Sequence, residues 1–192
     1  MLKLNVFELT IKGVTPILLH NNQGVDPLNH YTKELKTYTS KRKKTEEDLS
    51  EISKLEYASS MYFKDDIGVY IPSICVEGTL RNAAKKFKRG ADAKLGLFVN
   101  PDNIPLIYDG PKTIEDLFNT EGFRDTRVVS INRASILRCR PRFEKWELIC
   151  NVEYDPEIFD LSTLRDIVNV AGKYIGLCDF RPKYGRFEAF IK

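Results

Sequence analysis

The stretch YIPSICVEGTLRNAAKKFKRG, residues 70–90, decides how this chain folds. Val76, Leu80, Ala83, Ala84 and Phe87 recur at helical spacing, which predicts an amphipathic helix over Cys75–Lys88 with Ser73 capping its amino end. Gly78 inside that helix costs about 1 kcal/mol relative to Ala, so a close backbone neighbour is expected there. Arg81, Lys85 and Lys86, at i, i+4 and i+5, share an edge of the helix, and Lys88 and Arg89 extend the cationic end.

Outward from that helix, the pattern alternates between strands and one more helix. Upstream, Leu4–Lys12 reads as a strand with Phe7, Leu9 and Ile11 on one side. Downstream, strands are expected over roughly Arg127–Arg138 and over Lys145–Tyr154, where Trp146, Leu148, Cys150, Val152 and Tyr154 alternate strictly. Asp160 or Ser162 caps a second helix with an apolar stripe of Leu164, Ile167, Val168, Ala171 and Tyr174 or Ile175. A last strand covers Arg186–Ile191. The order strand, helix, strand, strand, helix, strand predicts an α+β, ferredoxin-like (RRM-like) βαββαβ sheet with two helices on one face. Residues 20–70 form a helical insertion between the first strand and first helix, within a single domain spanning 1–192. Thr45 and Asp48 sit in a capping-box arrangement, and Leu49, Ile52, Leu55, Tyr57 or Ala58, and Tyr62 give the insertion's helix an apolar side.

The 192 residues carry a net charge of only +3, but the charges are segregated. Residues 81–95 hold Arg81, Lys85, Lys86, Lys88, Arg89 and Lys94 against Asp92 alone. Residues 124–145 hold six arginines and Lys145 against Asp125 and Glu144, whereas 109–122 and 153–160 are acidic. Such segregation points to a basic face made for a polyanion, or more plainly to a solvated surface. The four cysteines form no C-x-x-C pair and there are two histidines, so zinc is not expected, nor any other cofactor. No apolar run approaches about 18 residues, which argues against a membrane span and for a cytoplasmic protein.

Pro72, Gly78, Leu80 and Arg81, with Ile71 ahead of them, resemble the IPGSSLKGALR segment of the RAMP superfamily, ferredoxin-like RNA-binding proteins of CRISPR effector backbones. Ser73, Ile74, Cys75 and Glu77 depart from it. FELTIKGVTPILLHN is similar to that family's first strand and turn, and DPLN, KRKKT, YDGP, RPRFEKWE and RPKYGRFE resemble uncharacterised phage- and prophage-encoded members. The resemblance implies a glycine-rich loop before the last strand that lies along an RNA backbone, here GLCDFRPKYG (176–185). On that reading Arg181, Lys183 and Arg186 meet phosphates, and Phe180 and Tyr184 stack bases. Arg81, Lys85, Lys86, Lys88 and Arg89 form one wall of a channel, and Arg133, Arg138, Arg140 and Arg142 the other. The plainer alternative is an Arg-Pro turn that docks the last strand.

The implied function is non-catalytic binding of single-stranded nucleic acid, RNA or DNA, by copies stacked head to tail, with no membrane partner. A phage-encoded version would serve replication or recombination, or interfere with CRISPR defence. The alternative is an RNA endonuclease of the RAMP type. Some members cleave with an insertion aspartate, which points to Asp26, Asp65 or Asp66, while His20 suits general acid–base chemistry.

Overall fold

The computed structural model describes residues 3–131 and 134–192. In chain order the strands are β1 (Asn5–Gly13), β2 (Ile17–Leu18), β3 (Phe63–Lys64), β4 (Gly68–Pro72), β5 (Leu97–Asn100), β6 (Asn103–Pro105), β7 (Arg124–Ile131), β8 (Ala134–Phe143), β9 (Glu147–Tyr154) and β10 (Phe187–Ile191). The helices are α1 (His30–Thr39), α2 (Glu46–Ser60), α3 (Ser73–Ala84), α4 (Gly90–Gly96), α5 (Ile114–Asn119) and α6 (Leu161–Val170). The chain divides into two compact units: residues 1–17, 63–109 and 144–192 form the first, and 18–62 with 110–143 the second.

The first unit holds a four-stranded antiparallel sheet in the order β10-β1-β9-β5. Numbered along a βαββαβ path, that is strand order 4-1-3-2, so the chain has the expected ferredoxin-like α+β fold. Phe7, Leu9 and Ile11 on β1 and Leu148, Cys150, Val152 and Tyr154 on β9 alternate into one buried face, joined by Leu97, Val99 and Phe187. Val76, Leu80 and Ala83 of α3 and Leu164, Ile167 and Val168 of α6 cover that face. Each fully buried aliphatic side chain contributes about 1.5–3 kcal/mol. A small sheet, β3-β4-β6, leads the chain into α3.

The second strand of the sheet is β5, not the expected Arg127–Arg138. The sequence pattern favoured the longer, β-rich segment, whereas β5 is only four residues, LFVN, closed by Gly96 and Pro101. Residues 124–131 and 134–143 instead pair antiparallel, as β7 and β8 of the second unit. Helix α3 also starts earlier than expected, with Pro72 at the cap and Ser73 already helical. It gives way at Lys85–Phe87 to a tighter turn that ends with Lys88 in the left-handed conformation, φ 60°. Nothing approaches within 4 Å of the position a Cβ would take on Gly78, so the close neighbour expected there is not found.

In the second unit α1 and α2 occupy the expected helical insertion. Thr45 and Asp48 make a complete capping box, and Lys41 lies 2.6 Å from the Asp48 carboxylate, whose pKa these contacts lower. The apolar stripe is narrower than its pattern. Leu55 and Tyr57 are buried, but Leu49 is 53% exposed. Tyr57 donates to the Phe123 carbonyl (3.0 Å) and stacks edge-on with Phe118, tying α2 to α5 and the start of β7.

Candidate nucleic-acid interface

Helix α3 organises the basic part of the first unit. Its buried residue Thr79 donates a 3.0 Å hydrogen bond to the Gly176 carbonyl and accepts one of 3.4 Å from Arg181 Nη1. Two residues on, the cations begin: Arg81, Lys85, Lys86 and Lys88 are all exposed. Lys85 reaches Asn82 at 3.0 Å. Arg89 serves the fold instead. Its guanidinium bonds Asp92 (2.9 Å) and the Ile158 carbonyl (2.6 Å) and lies 4.7 Å over the Phe159 ring. Lys94, counted in the basic stretch but not placed on the expected channel wall, lines a cavity of about 240 Å³ with Arg81, Glu77 and Gly78. Its place follows from the left-handed turn at Lys88, which swings α4 back towards α3 and leaves no local signal.

The loop before β10 is closed at its base by its own backbone. Leu177 N–H donates to the Gly185 carbonyl (2.8 Å), and Gly185 N–H donates to Pro16 O (2.8 Å). Gly176 and Gly185 have φ of 76° and 71°, and a Cβ on Gly185 would meet Leu177 O at 2.0 Å. The glycines therefore let two backbone segments of this chain meet, which accounts for them without any phosphate. This agrees with the plainer docking-turn alternative for the loop's base.

The tip is different. Phe180, Arg181 and Lys183 are exposed there, as is Arg186 just past the base, and the Phe180 and Tyr184 rings lie 6.5 Å apart at 82°, with Lys183 Nζ 5.9 Å from the Tyr184 ring. Cys178, inside the loop, faces Cys75 on α3, and this contact together with burial pushes its thiol pKa well up. Cys150, in the core of the sheet, is raised to about 12 by burial.

The uncovered face of the sheet has the wrong sign for phosphate. Glu8, Glu147, Glu153 and Glu188 stand there against Lys12 and Lys192, which pair with Glu147 (3.6 Å) and Glu8 (3.1 Å). The exposed candidate cations of this unit lie at the end of α3 and on the loop before β10.

In the second unit two of the β7–β8 arginines are engaged with acids. Arg138 is bound by the buried Glu56 carboxylate, which also accepts from Cys139 N–H at 3.2 Å, and Arg127 is chelated by Asp125. Arg138 and Arg140 nonetheless line a cavity of about 250 Å³ together with His20, Asn21, Ser59 and Ser60. Arg142 is half-buried, and Arg133 lies outside the described residues. Asp26 is spent on an Asx turn, accepting from Leu28 N–H at 2.8 Å. Asp65 and Asp66 are exposed in the turn joining β3 to β4. The structure thus sorts the candidates into two groups, one in each unit.

No protein-family model matches the chain, and no curated protein matches it. Among the described residues no helix is long and apolar enough to cross a membrane. A solved structure does match: a chain in the cryo-EM structure of the Type III-B Cmr-beta bound to cognate target RNA, at 12% identity and a TM-score of 0.57. The match covers all of this chain and 61% of that one, so the present chain spans less than two thirds of its neighbour's length. At that identity the chain is similar to this RNA-bound complex's component in fold.

Proposed function

We propose that the protein binds single-stranded nucleic acid, RNA or DNA, without cleaving it, through the end of α3 and the tip of the 176–185 loop. The observation that carries this reading is the exposure of Arg81, Lys85, Lys86, Lys88, Arg181, Lys183 and Arg186 in one unit, beside exposed Phe180 and half-buried Tyr184. The cations neutralise phosphates and release counterions, and the rings offer faces on which bases stack at about 1–3 kcal/mol each. The fold it shares with a component of an RNA-bound complex favours RNA first. Copies add head to tail along the strand. Carried by a phage or prophage, such a protein would coat strands during replication or recombination, or interfere with CRISPR defence.

The test is titration of labelled mixed-sequence RNA and DNA oligonucleotides over a range of salt. The logarithm of affinity should fall against the logarithm of salt concentration with a slope of about −0.7 per phosphate neutralised. Removing Lys85 and Lys86 should flatten that slope. Light scattering on oligonucleotides of increasing length reads the assembly. Salt-insensitive binding, or none at low salt, refutes the proposal.

A second reading rests on the cavity where His20 joins Arg138 and Arg140. An imidazole beside guanidinium groups suits proton transfer at a phosphodiester with stabilisation of the charge that develops. Cleavage of RNA that His20→Ala abolishes would replace the non-catalytic proposal.

A further inference from the structure

The two edges of the four-stranded sheet are finished differently. At one edge, the outward N–H of Val99 on β5 is occupied by Glu77 of α3, whose carboxylate accepts it at 2.9 Å. A carboxylate placed there blocks the addition of another strand. At the other edge β10 has no such guard among the described residues. Glu8 and Lys192 exchange both backbone bonds (3.2 and 3.0 Å), so by alternation Thr10–Phe190 and Lys12–Glu188 are the bonded pairs with β1. The N–H and C=O groups of Phe187, Ala189 and Ile191 therefore point away from the sheet. Phe187 is closed off, because its carbonyl lies where a Cβ of Gly172 would be, 2.2 Å away. Ala189 and Ile191 remain open, bordering grooves of about 550 and 230 Å³ between β10 and the α6 segment.

We infer that β10 pairs antiparallel with β10 of a second copy of this chain, about a two-fold axis at Phe190. The side chains select this register. With Phe190 opposite its own mate, Ala189 and Ile191 exchange backbone bonds with the second copy's Ile191 and Ala189. The exposed Phe190 rings, 51% accessible in the single chain, cover each other. Glu188 falls directly opposite the second copy's Lys192 twice over, complementing the pair Lys192 makes with Glu8 in its own chain. A slip of one residue at each strand, with Ala189 on the axis, sets Glu188 against Phe190 and calls on the closed-off Phe187, and a slip of two, with Glu188 on the axis, sets like charges face to face. On the side towards α6, small Ala189 meets large Ile191, which enters the smaller groove. The contact is isologous and closes on itself, so it joins copies in twos and needs no nucleic acid. It stands apart from head-to-tail addition along a strand.

The experiment uses nucleic-acid-free protein. Sedimentation across a dilution series should give wild type a mass twice its 22.1 kDa, concentration-dependent, and Phe190→Lys the mass of one chain with an unchanged circular dichroism spectrum. Residues opposed in a non-hydrogen-bonded pair have Cα atoms about 4.5 Å apart, within disulfide range. Phe190→Cys should therefore give a covalent dimer under oxidised glutathione, above the background of the native cysteines. Glu188→Cys, whose mate lies further along the ladder, should not. A monomeric wild type with no covalent dimer from Phe190→Cys overturns the pairing and leaves the edge to a strand of another protein. Equal cross-linking by Glu188→Cys overturns the register.

Discussion

Thr79 is the point at which the loop depends on the helix, and its hydroxyl can be removed almost isosterically. The side chain is 1% exposed and bonds the buried Gly176 carbonyl at 3.0 Å. Thr79→Val keeps the shape and leaves that carbonyl without its donor, at a cost of about 1–3 kcal/mol. For a chain of this size each kcal/mol lowers Tm by about 2–4 °C, so the expected loss is roughly 2–12 °C. The Arg181 guanidinium is released at the same time, which frees the loop tip without unfolding the sheet. Limited proteolysis within 176–185 should accelerate in Thr79→Val and stay close to wild type in Thr79→Ser, which keeps the donor. Nucleic-acid affinity should follow the loop in the same order. If Thr79→Val matches wild type in both Tm and loop cleavage, the hydroxyl does not hold the loop, and the argument from helix to interface fails.

Two further perturbations separate the core from the surface. Leu97→Ala on β5 should cost about 2–5 kcal/mol in denaturant unfolding, whereas Leu49→Ala on the exposed side of α2 should stay within about 0.5 kcal/mol; equal costs would contradict the assignment of β5 to the sheet. Glu56→Gln should weaken the second unit by about 2 kcal/mol, since Arg138 loses a charge-assisted partner while Cys139 N–H keeps an acceptor, and hydrogen exchange in β8 reports the loosening directly.

The electrostatics explain why local charge counts overstate the interface. Residues 124–145 look strongly basic along the chain, yet Arg138 and Arg127 meet Glu56 and Asp125 in space. Glu56 lies 82 residues from Arg138, so no window of sequence shows the neutralisation. At the end of α3 the acids are local and few, and the cations there stay free of the core apart from Arg89. That cation is withdrawn by Phe159 and the Ile158 carbonyl, again residues remote in sequence.

Periodicity alone was enough for the long elements. The alternation in β1 and β9, the stripe of α6 with its Asp160 cap, and the Thr45–Asp48 capping box all depend on neighbours within one turn or one strand, and they specify the ferredoxin-like frame. The tertiary structure decided the rest. A four-residue strand such as β5 carries too few alternations to register, so only its pairing with β9 distinguishes it from the richer strand pattern expected over Arg127–Arg138. The role of Gly176 and Gly185 depended on which backbone came near them, and that proved to be this chain's own Leu177 and Tyr184. Likewise, Glu77 guards one sheet edge and, among the described residues, no side chain guards β10, a difference written in contacts between elements. Local patterns record the preferences of a segment for its immediate neighbours; which remote group quenches a charge, fills a glycine's empty space or closes an edge is set only when the chain has packed.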